Sequence, residues 1–499
     1  MELIRGLWPF LSDPRFVLLC FAGAVAGFFV GSIPGLSVSM ATALLVSLTY
    51  AWPTTDALAA VMGVYVVGVY AGAIPAILMN IPGAPSSVVT TLDGYPMARC
   101  GEAYRALLIA ALYSFVGSVF GLLALALLAR PMSALALRFH PADYFLLALL
   151  GLTAAGSLSS GSSAKGLAAA AIGVFFSLIG LDSVVGTPRL TFGIQALKAG
   201  VPTVPALIGL FGFSELLFAA GEGEAAGQAG PLRREKPPLR ELLRELPRSL
   251  YYCTIGCLVG ALPGAGTPVA SFLAYGQARR LVKKPERPFG EGAMEGVVAS
   301  ESANNACIGG ALIPMLTLGV PGDAVTAIIL SVFTIHGLQP GPTFLMSGGE
   351  GFHAILAGGL LGCLFLLLLG LLAAPRVSAV IRIPRRILLP LVTVLCVIGS
   401  YACRTQLFDV GLMFFFGLLG YLLRRRGCSA APLTLGLVLG GMMDANFRRA
   451  VSLASTAEHP LASLFGRPVT LVLLLLTAAA LLSGLPSVKR RLSGRKNRQ

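Results

Sequence analysis

Long apolar runs recur along the whole chain and restrict it to folds that cross a membrane. Gly359–Ala374 (GLLGCLFLLLLGLLAA) and Val469–Leu485 each approach the roughly 20 apolar residues that an α-helix needs to cross a bilayer about 30 Å thick. Only 12% of the 499 residues are charged, against roughly 25% in a soluble domain. Because the hydrocarbon core offers no water to backbone polar groups, such segments have to be helical. The sequence therefore predicts an all-α polytopic membrane protein.

The basic residues form short clusters between apolar segments, although the net charge is +15. This distribution is typical of cytoplasmic loops in a membrane protein. It predicts that the protein is embedded in a lipid bilayer and does not bind nucleic acid. It also predicts that the C-terminus lies on the cytoplasmic side. The clusters are Arg279–Arg280 with Lys283–Lys284, Arg385–Arg386, Arg424–Arg426 and the tail Lys489–Lys496.

A polar stretch, residues 221–248, divides the chain into an N-terminal half (1–220) and a C-terminal half with extra spans (249–499). In this linker Leu239, Leu242, Leu243 and Leu246 have helical spacing, which predicts an amphipathic helix on the cytoplasmic surface. We expect about 11–13 membrane segments. The apolar stretches lie near 16–50 (interrupted), 57–81, 102–129, 141–160, 164–181, 200–220, 249–275, 300–320, 322–346, 352–374, 387–402, 406–423, 430–443 and 468–486.

Two motifs occur once in each half, in the same order. GFFVGSIPGL (Gly27–Leu36) aligns with GCLVGALPGA (Gly256–Ala265), and IPAILMNIPG (Ile74–Gly83) aligns with IPMLTLGVPG (Ile313–Gly322). This repetition predicts two repeat-related halves. An odd number of segments between the copies would make the repeat inverted, and the sequence leaves that number open.

Each motif contains a Pro-Gly pair that interrupts an apolar segment. Non-helical backbone at membrane depth is tolerated only where it is buried in protein or lines a water-filled cavity, and paired interruptions indicate the binding site of a transporter. Helices broken there expose N–H groups and a partial positive charge that suit an anion. The candidates to bind a substrate or its coupling ion are Pro34, Gly35, Ser37, Asn80, Pro82, Gly83, Ser86, Ser87, Thr90, Pro263, Gly264, Gly266, Thr267, Asn304, Asn305, Pro321, Gly322 and Asp323.

Carbonyl, hydroxyl and carboxylate oxygens also suit a hard cation, and a possible Na⁺ site comprises Ser37, Thr267 and Asp323. Structural alternatives remain open. Asp323 is also a preferred helix N-cap, and Asn80 could serve as a buried hydrogen-bonding residue. The Asn304–Asn305 pair could join helices, and the Pro-Gly pairs could be simple kinks.

Two acids outside the breaks are assigned less specific roles. Asp93, beside Gly94-Tyr95-Pro96, is predicted to be a solvated turn residue, and Glu301 is predicted to lie toward the cytoplasmic edge. No nucleophile, phosphate-loop or metalloprotease motif occurs, so we expect neither an enzyme nor a resident cofactor. Transport energy would come from an ion gradient.

The motifs GSIPGLSVSMATALL, AIPAILMNIPGAPSSVVTTLDGYP and ESANNACIGGALIPMLTLGVPGDAVTAIIL resemble the large membrane subunit of the tripartite tricarboxylate transporters (TctA). The resemblance implies a multi-pass secondary transporter of the bacterial inner membrane, similar to elevator-type carriers with two inward-dipping hairpins. It implies two partners: a small four-span membrane subunit and a periplasmic solute-binding protein that delivers a carboxylate. A gradient of Na⁺ or H⁺ would drive uptake.

Several alternatives stay open at this level. The carboxylate could be citrate, another tri- or dicarboxylate or an aromatic acid, and the oligomeric state is undefined. A channel for organic anions is the main competing function, ahead of a membrane-embedded enzyme or a structural scaffold. The two halves cannot contribute identical ligands, because Asn80 aligns with Gly319 and Ala84 aligns with Asp323.

Overall fold

The computed structural model describes residues 2–33, 36–158, 163–182, 186–221, 243–264, 266–345, 349–372 and 385–484. The candidates Pro34 and Gly35, linker residues 222–242 (with Leu239 and Leu242) and the basic tail lie outside these ranges. The helices are α1 Glu2–Ser12, α2 Pro14–Ser32, α3 Val38–Leu48, α4 Thr54–Ala71, α5 Ala73–Met79, α6 Val88–Met97, α7 Ala103–Ala136, α8 Pro141–Leu158, α9 Ser163–Ser177, α10 Thr203–Leu207, α11 Ser214–Gly221, α12 Leu246–Gly260, α13 Gly266–Leu281, α14 Met294–Leu318, α15 Ala324–Ile335, α16 Glu350–Leu372, α17 Arg385–Arg404, α18 Leu407–Arg425, α19 Ala431–Ser455, α20 Pro460–Phe465 and α21 Pro468–Gly484.

Short irregular elements connect these helices. Single 3₁₀ turns cover Pro85–Ser87 and Gln195–Ala199, and π-helical turns cover Ala98–Glu102 and Ile208–Phe213. The strands β1 (Gly180–Leu181) and β2 (Pro188–Arg189) form a two-residue antiparallel ribbon.

Apolar helices long enough to cross a bilayer confirm the predicted all-α polytopic membrane protein. Six further apolar helices in the described part of the chain are shorter, so the total of 11–13 segments stays a prediction. Helix α14 is 25 residues long but too polar to be counted among the helices long and apolar enough to cross a bilayer, of which the described residues contain six. The six long stretches are Pro14–Ser32, Thr54–Met79, Pro85–Ala136, Thr203–Ala220, Glu350–Leu372 and Leu407–Arg425.

The predicted helix breaks are present. Segment 16–50 consists of α2 and α3, and segment 249–275 consists of α12 and α13. Segment 322–346 is shorter than predicted, because α15 ends at Ile335 and Gly337 follows with a φ of +72°. Such a left-handed residue just beyond the last turn is the usual way for a helix to end.

Small residues bring the longest helices into close contact. A Cβ atom at Gly27 of α2 would lie 2.6 Å from the carbonyl oxygen of Val64 on α4. At Gly256 of α12 it would lie 2.2 Å from the carbonyl oxygen of Ala303 on α14. Glycine interfaces of this type are common between helices in membranes. Helix α14 packs against α7, α12 and α13, while α4 packs against α2 and α16.

Candidate functional site

The two Pro-Gly breaks of the C-terminal half contact each other. The backbone N–H of Gly264, just before α13, donates to the carbonyl oxygen of Gly322, just before α15, over 2.8 Å. A Cβ atom at Gly266 would lie 3.8 Å from the Cβ atom of Asp323. Pro263, Pro321 and Gly322 are buried. The breaks therefore bring two helix N-termini together, and each N-terminus carries N–H groups without an intrahelical partner and a partial positive charge.

Asp323 is the N-cap residue of α15 and also contacts the N-terminal half. Its side chain accepts a hydrogen bond from the Thr326 N–H (2.8 Å), while the Thr326 hydroxyl accepts one from the Asp323 N–H (2.9 Å). The buried Tyr65 hydroxyl, on α4, donates to Asp323 Oδ2 over 3.0 Å. The capping alternative is therefore realised, and a ligand-binding role for Asp323 stays a prediction.

Asn80 ends α5 in the left-handed conformation, with φ of 57°. Its aligned counterpart, Gly319, ends α14 in the same conformation, with φ of 71°. Asparagine is one of the few residues besides glycine that adopts this conformation readily. The Asn80 side chain is exposed, so the interpretation as a buried hydrogen-bonding residue was wrong.

Close packing leaves no room for a side chain at the glycine of two of the Pro-Gly pairs, Pro82-Gly83 and Pro321-Gly322. A Cβ atom at Gly83 would lie 2.6 Å from the Gly31 carbonyl oxygen, and one at Gly322 would lie 2.5 Å from the Gly260 carbonyl oxygen. Pro82, which precedes Gly83, is partly exposed, whereas Ser86 and Ser87, which follow it, are buried, and the Ser87 hydroxyl has no hydrogen-bond partner.

Glu215 is a site residue that the sequence interpretation missed. The Ser37 N–H, at the start of α3, donates to Glu215 Oε2 over 2.9 Å, and the Ser37 hydroxyl caps the helix by accepting from the Met40 N–H. Glu215 is the second residue of α11, which begins directly after the π-helical turn Ile208–Phe213. The available signal was a single acid inside the apolar segment 200–220, since acids in such segments are rare and usually functional. The predicted Na⁺ site of Ser37, Thr267 and Asp323 stays a prediction. In the structure the backbone N–H of Ser37 is hydrogen-bonded to Glu215.

A second polar cluster surrounds Glu301, which is fully buried in α14. Thr90 from α6 donates to Glu301 Oε1 (2.5 Å), and Ser114 from α7 donates to Oε2 (2.9 Å). Asn305 Nδ2 donates to the Ser114 hydroxyl (2.8 Å). Both side-chain atoms of Asn304 are buried without a hydrogen-bond partner. Thr90 and Asn305 thus belong to one cluster around Glu301, and a ligand-binding role for Asn304 stays a prediction.

Asp93 is buried, so its prediction as a solvated turn residue was wrong. Its Oδ1 accepts hydrogen bonds from the N–H groups of Gly290, Gly292 and Ala293 at 2.8–3.0 Å, and Oδ2 accepts one from the Tyr275 hydroxyl at 2.9 Å. The carboxylate therefore holds the loop that leads into α14. This is a structural role that the local motif did not reveal.

Replacing Tyr275 by phenylalanine is expected to lower the free energy of unfolding by about 1.5 kcal/mol, the low end for a hydrogen bond to a charged group. The measurement is the thermal unfolding midpoint of the purified protein in detergent. Tyr251→Phe is the matched control, because Tyr251 is 45% exposed. Equal midpoints for the two variants would contradict this role of Asp93.

The comparison with known families decides which family the chain belongs to. The model of the tripartite tricarboxylate transporter TctA family matches residues 17–435. The chain belongs to the TctA family. An uncharacterized 52.8 kDa protein in the TAR-I ttuC' 3' region of Agrobacterium vitis is 36% identical over 459 residues, 90% of each chain. An uncharacterized protein in the TAR-II ttuC' 3' region of the same organism is 40% identical over 186 residues, 37% of this chain and 76% of its own. No solved structure matches.

Membership of the TctA family confirms the resemblance found in the motifs. TctA is a family of transporters rather than enzymes, and its members are membrane components of tripartite tricarboxylate transporters. The matched range includes all four breaks as well as Glu215 and Glu301. Within the described ranges, no group of three or more His, Cys, Asp or Glu residues could hold a metal ion.

Proposed function

We propose that this TctA-family chain is the large membrane subunit of a secondary active importer of carboxylates in the bacterial inner membrane. A periplasmic solute-binding protein delivers the carboxylate, a small four-span subunit completes the membrane complex, and a cation gradient drives uptake. The observation that carries the proposal is the hydrogen bond between Gly264 and Gly322, which brings the N-termini of α13 and α15 together.

The chemistry of the breaks favours an anion bound by neutral donors. Hydroxyl groups, amides and helix N-termini bind a carboxylate without an ion pair. Arginine, which would hold it through a bidentate ion pair, is absent from the break sequences SIPGLSVS, NIPGAPSSVVTT, ALPGAGTPVAS and TLGVPGDAVT. Binding of this kind also permits release on the cytoplasmic side.

Two repeat-related halves are part of the proposal. The glycine contacts support the two halves. Gly83 packs against the Gly31 carbonyl oxygen, and at the aligned positions Gly322 packs against the Gly260 carbonyl oxygen. A mobile unit that carries the breaks moves the bound carboxylate across the membrane, as in elevator-type carriers. The cation couples to this movement because it stabilises the state that binds the carboxylate.

Uptake into proteoliposomes tests the function. The chain is reconstituted with its four-span subunit, and radiolabelled citrate, succinate or benzoate is supplied on the solute-binding protein, with or without an inward gradient of Na⁺ or H⁺. Saturable accumulation against the carboxylate gradient, dependent on one cation, is the expected result. Flux that only equilibrates the label and ignores both cation gradients would contradict the proposal and favour a channel for organic anions.

A further inference from the structure

Glu301 is a buried carboxyl group without a neighbouring positive charge. Its side chain is fully buried between α6, α7 and α14. None of the ion pairs formed by the described residues includes it. An ionised carboxylate in such surroundings carries a desolvation cost of several kcal/mol, and a buried group of this kind usually binds a cation or becomes neutral.

Both oxygens of Glu301 accept a hydrogen bond when the carboxylate is ionised. Thr90 donates to Oε1 and Ser114 donates to Oε2. The Ser114 oxygen in turn accepts from Asn305 Nδ2. The orientation of this amide is fixed, because Nδ2 also donates to the Glu301 backbone carbonyl oxygen over 3.1 Å.

The same groups also satisfy a protonated Glu301 after one hydroxyl rotates. Thr90 Oγ1 lies 3.2 Å from the Ser300 hydroxyl, and Ser300 donates to the Val297 carbonyl oxygen over 3.1 Å. A proton on Glu301 Oε1 is donated to Thr90, Thr90 donates to Ser300, and Ser300 keeps its bond to Val297. Each of the three O–H groups in this chain then has an acceptor, as buried polar groups require.

We propose that Glu301 is a proton-binding site and that H⁺ is the cation whose gradient drives uptake. The assignment rests on the proposed transport function and deepens it. Proton binding forms one O–H bond at Oε1 and removes one negative charge from the interior of the protein. Thr90 belongs to α6, which follows the break at Pro82-Gly83 after one 3₁₀ turn, so the proton changes a contact of the helix that leaves this break.

The donors around Glu301 favour H⁺ over Na⁺. The amide nitrogen of Asn305 lies 3.5 Å from Oε2, and the Ser114 proton faces the same oxygen. A sodium ion bound to Oε2 would meet the N–H dipole of this amide with the wrong sign, because the orientation of the amide is fixed. A proton needs only a single acceptor.

The titratable groups on neighbouring elements do not neutralise Glu301. The Tyr70 hydroxyl of α4 is buried without a hydrogen-bond partner and carries no positive charge. Asp93 accepts a hydrogen bond from the Tyr275 hydroxyl, and Asp323 accepts one from the Tyr65 hydroxyl. The remaining titratable groups on the elements packed against α14, or on α14 itself, are Asp56, Tyr95, Tyr104, Arg105, Tyr113, Arg130, Arg248, Tyr251, Tyr252, Cys253, Cys257, Arg279, Arg280, Glu295, Cys307 and His336.

Infrared difference spectroscopy of the purified full-length protein, without carboxylate or partner subunits, tests the site. Spectra are recorded between acidic and alkaline pH in H₂O and D₂O. The wild type is expected to show a protonated-carboxyl C=O band that disappears as the pH rises and shifts in D₂O. Glu301→Gln is expected to lose this band, and Glu350→Gln, at an exposed acid at the start of α16, is expected to retain it.

Thr90 provides an independent test that does not require removal of Glu301. Thr90→Val removes the acceptor, so the band should move to higher frequency, whereas Thr90→Ser should leave it in place. A band unchanged in Glu301→Gln, no titrating band in the wild type, or an unshifted band in Thr90→Val would overturn the assignment. Loss of the band when NaCl replaces choline chloride at constant pH would show a sodium site instead. Each failure leaves the uptake experiment as a separate test of transport.

Discussion

Asp323→Ala is expected to lower carboxylate uptake by at least about tenfold. The substitution removes the side chain that receives hydrogen bonds from Thr326 and Tyr65 at the junction of two breaks. A hydrogen bond to a charged group contributes about 1.5–3 kcal/mol, and 1.4 kcal/mol corresponds to about a factor of ten. The loss of the N-cap also costs about 1 kcal/mol of stability. The measurement is the initial rate of uptake into proteoliposomes, normalised to the reconstituted protein.

Two variants separate the carboxylate of Asp323 from its capping role. Asparagine caps helices about as well as aspartate, so Asp323→Asn should fold normally and still lose uptake. Asp13 caps α2 at an exposed position by accepting from the Arg15 N–H, so Asp13→Ala should lose a cap and retain uptake. Wild-type uptake by Asp323→Asn would limit Asp323 to capping.

Gly322→Val is expected to destabilise the folded protein by about 3 kcal/mol, because overpacked substitutions cost about this much. A Cβ atom there would lie 2.5 Å from the Gly260 carbonyl oxygen and 2.7 Å from the Ala311 Cα atom, and both are backbone atoms. Gly83→Val should behave similarly, because its Cβ atom would lie 2.6 Å from the Gly31 carbonyl oxygen. The measurements are the thermal unfolding midpoint and the monodisperse fraction in size-exclusion chromatography.

Gly276→Ala is the matched control for these glycines. Gly276 lies inside α13 with no atom within 4 Å of an added Cβ atom. Alanine should stabilise this helix by roughly 0.5–1 kcal/mol. A Gly322→Val variant with the wild-type midpoint would show that the two breaks are not packed as described.

The helix breaks could be predicted from the sequence, because proline and glycine act locally on the backbone. The contact between Gly264 and Gly322 could not, since it joins residues that are distant in the chain. Helix α6 was missed because its sequence, VVTTLDGYPM, contains the Gly94-Tyr95-Pro96 motif typical of a turn. Asp93 was misjudged for the same reason.

The site could be predicted only in part, again because some of its contacts join residues that are distant in the chain. Pro-Gly pairs indicated where N-termini would be free, whereas the acid that contacts one of them, Glu215, lies in another apolar segment. Its partner Ser37 is 178 residues away, so their pairing depends on how α3 and α11 pack. Asn80 and Gly319 differ in chemistry but share one backbone conformation, and a comparison of side chains alone concealed this similarity.

Cryo-electron microscopy of the chain and its four-span subunit in lipid nanodiscs tests the central claim most directly. The sample contains the carboxylate that the solute-binding protein retains on purification. Density for this molecule is expected within the bilayer, against the N-termini of α13 and α15 and beside Asp323. Density elsewhere, or breaks that face lipid, would contradict the account.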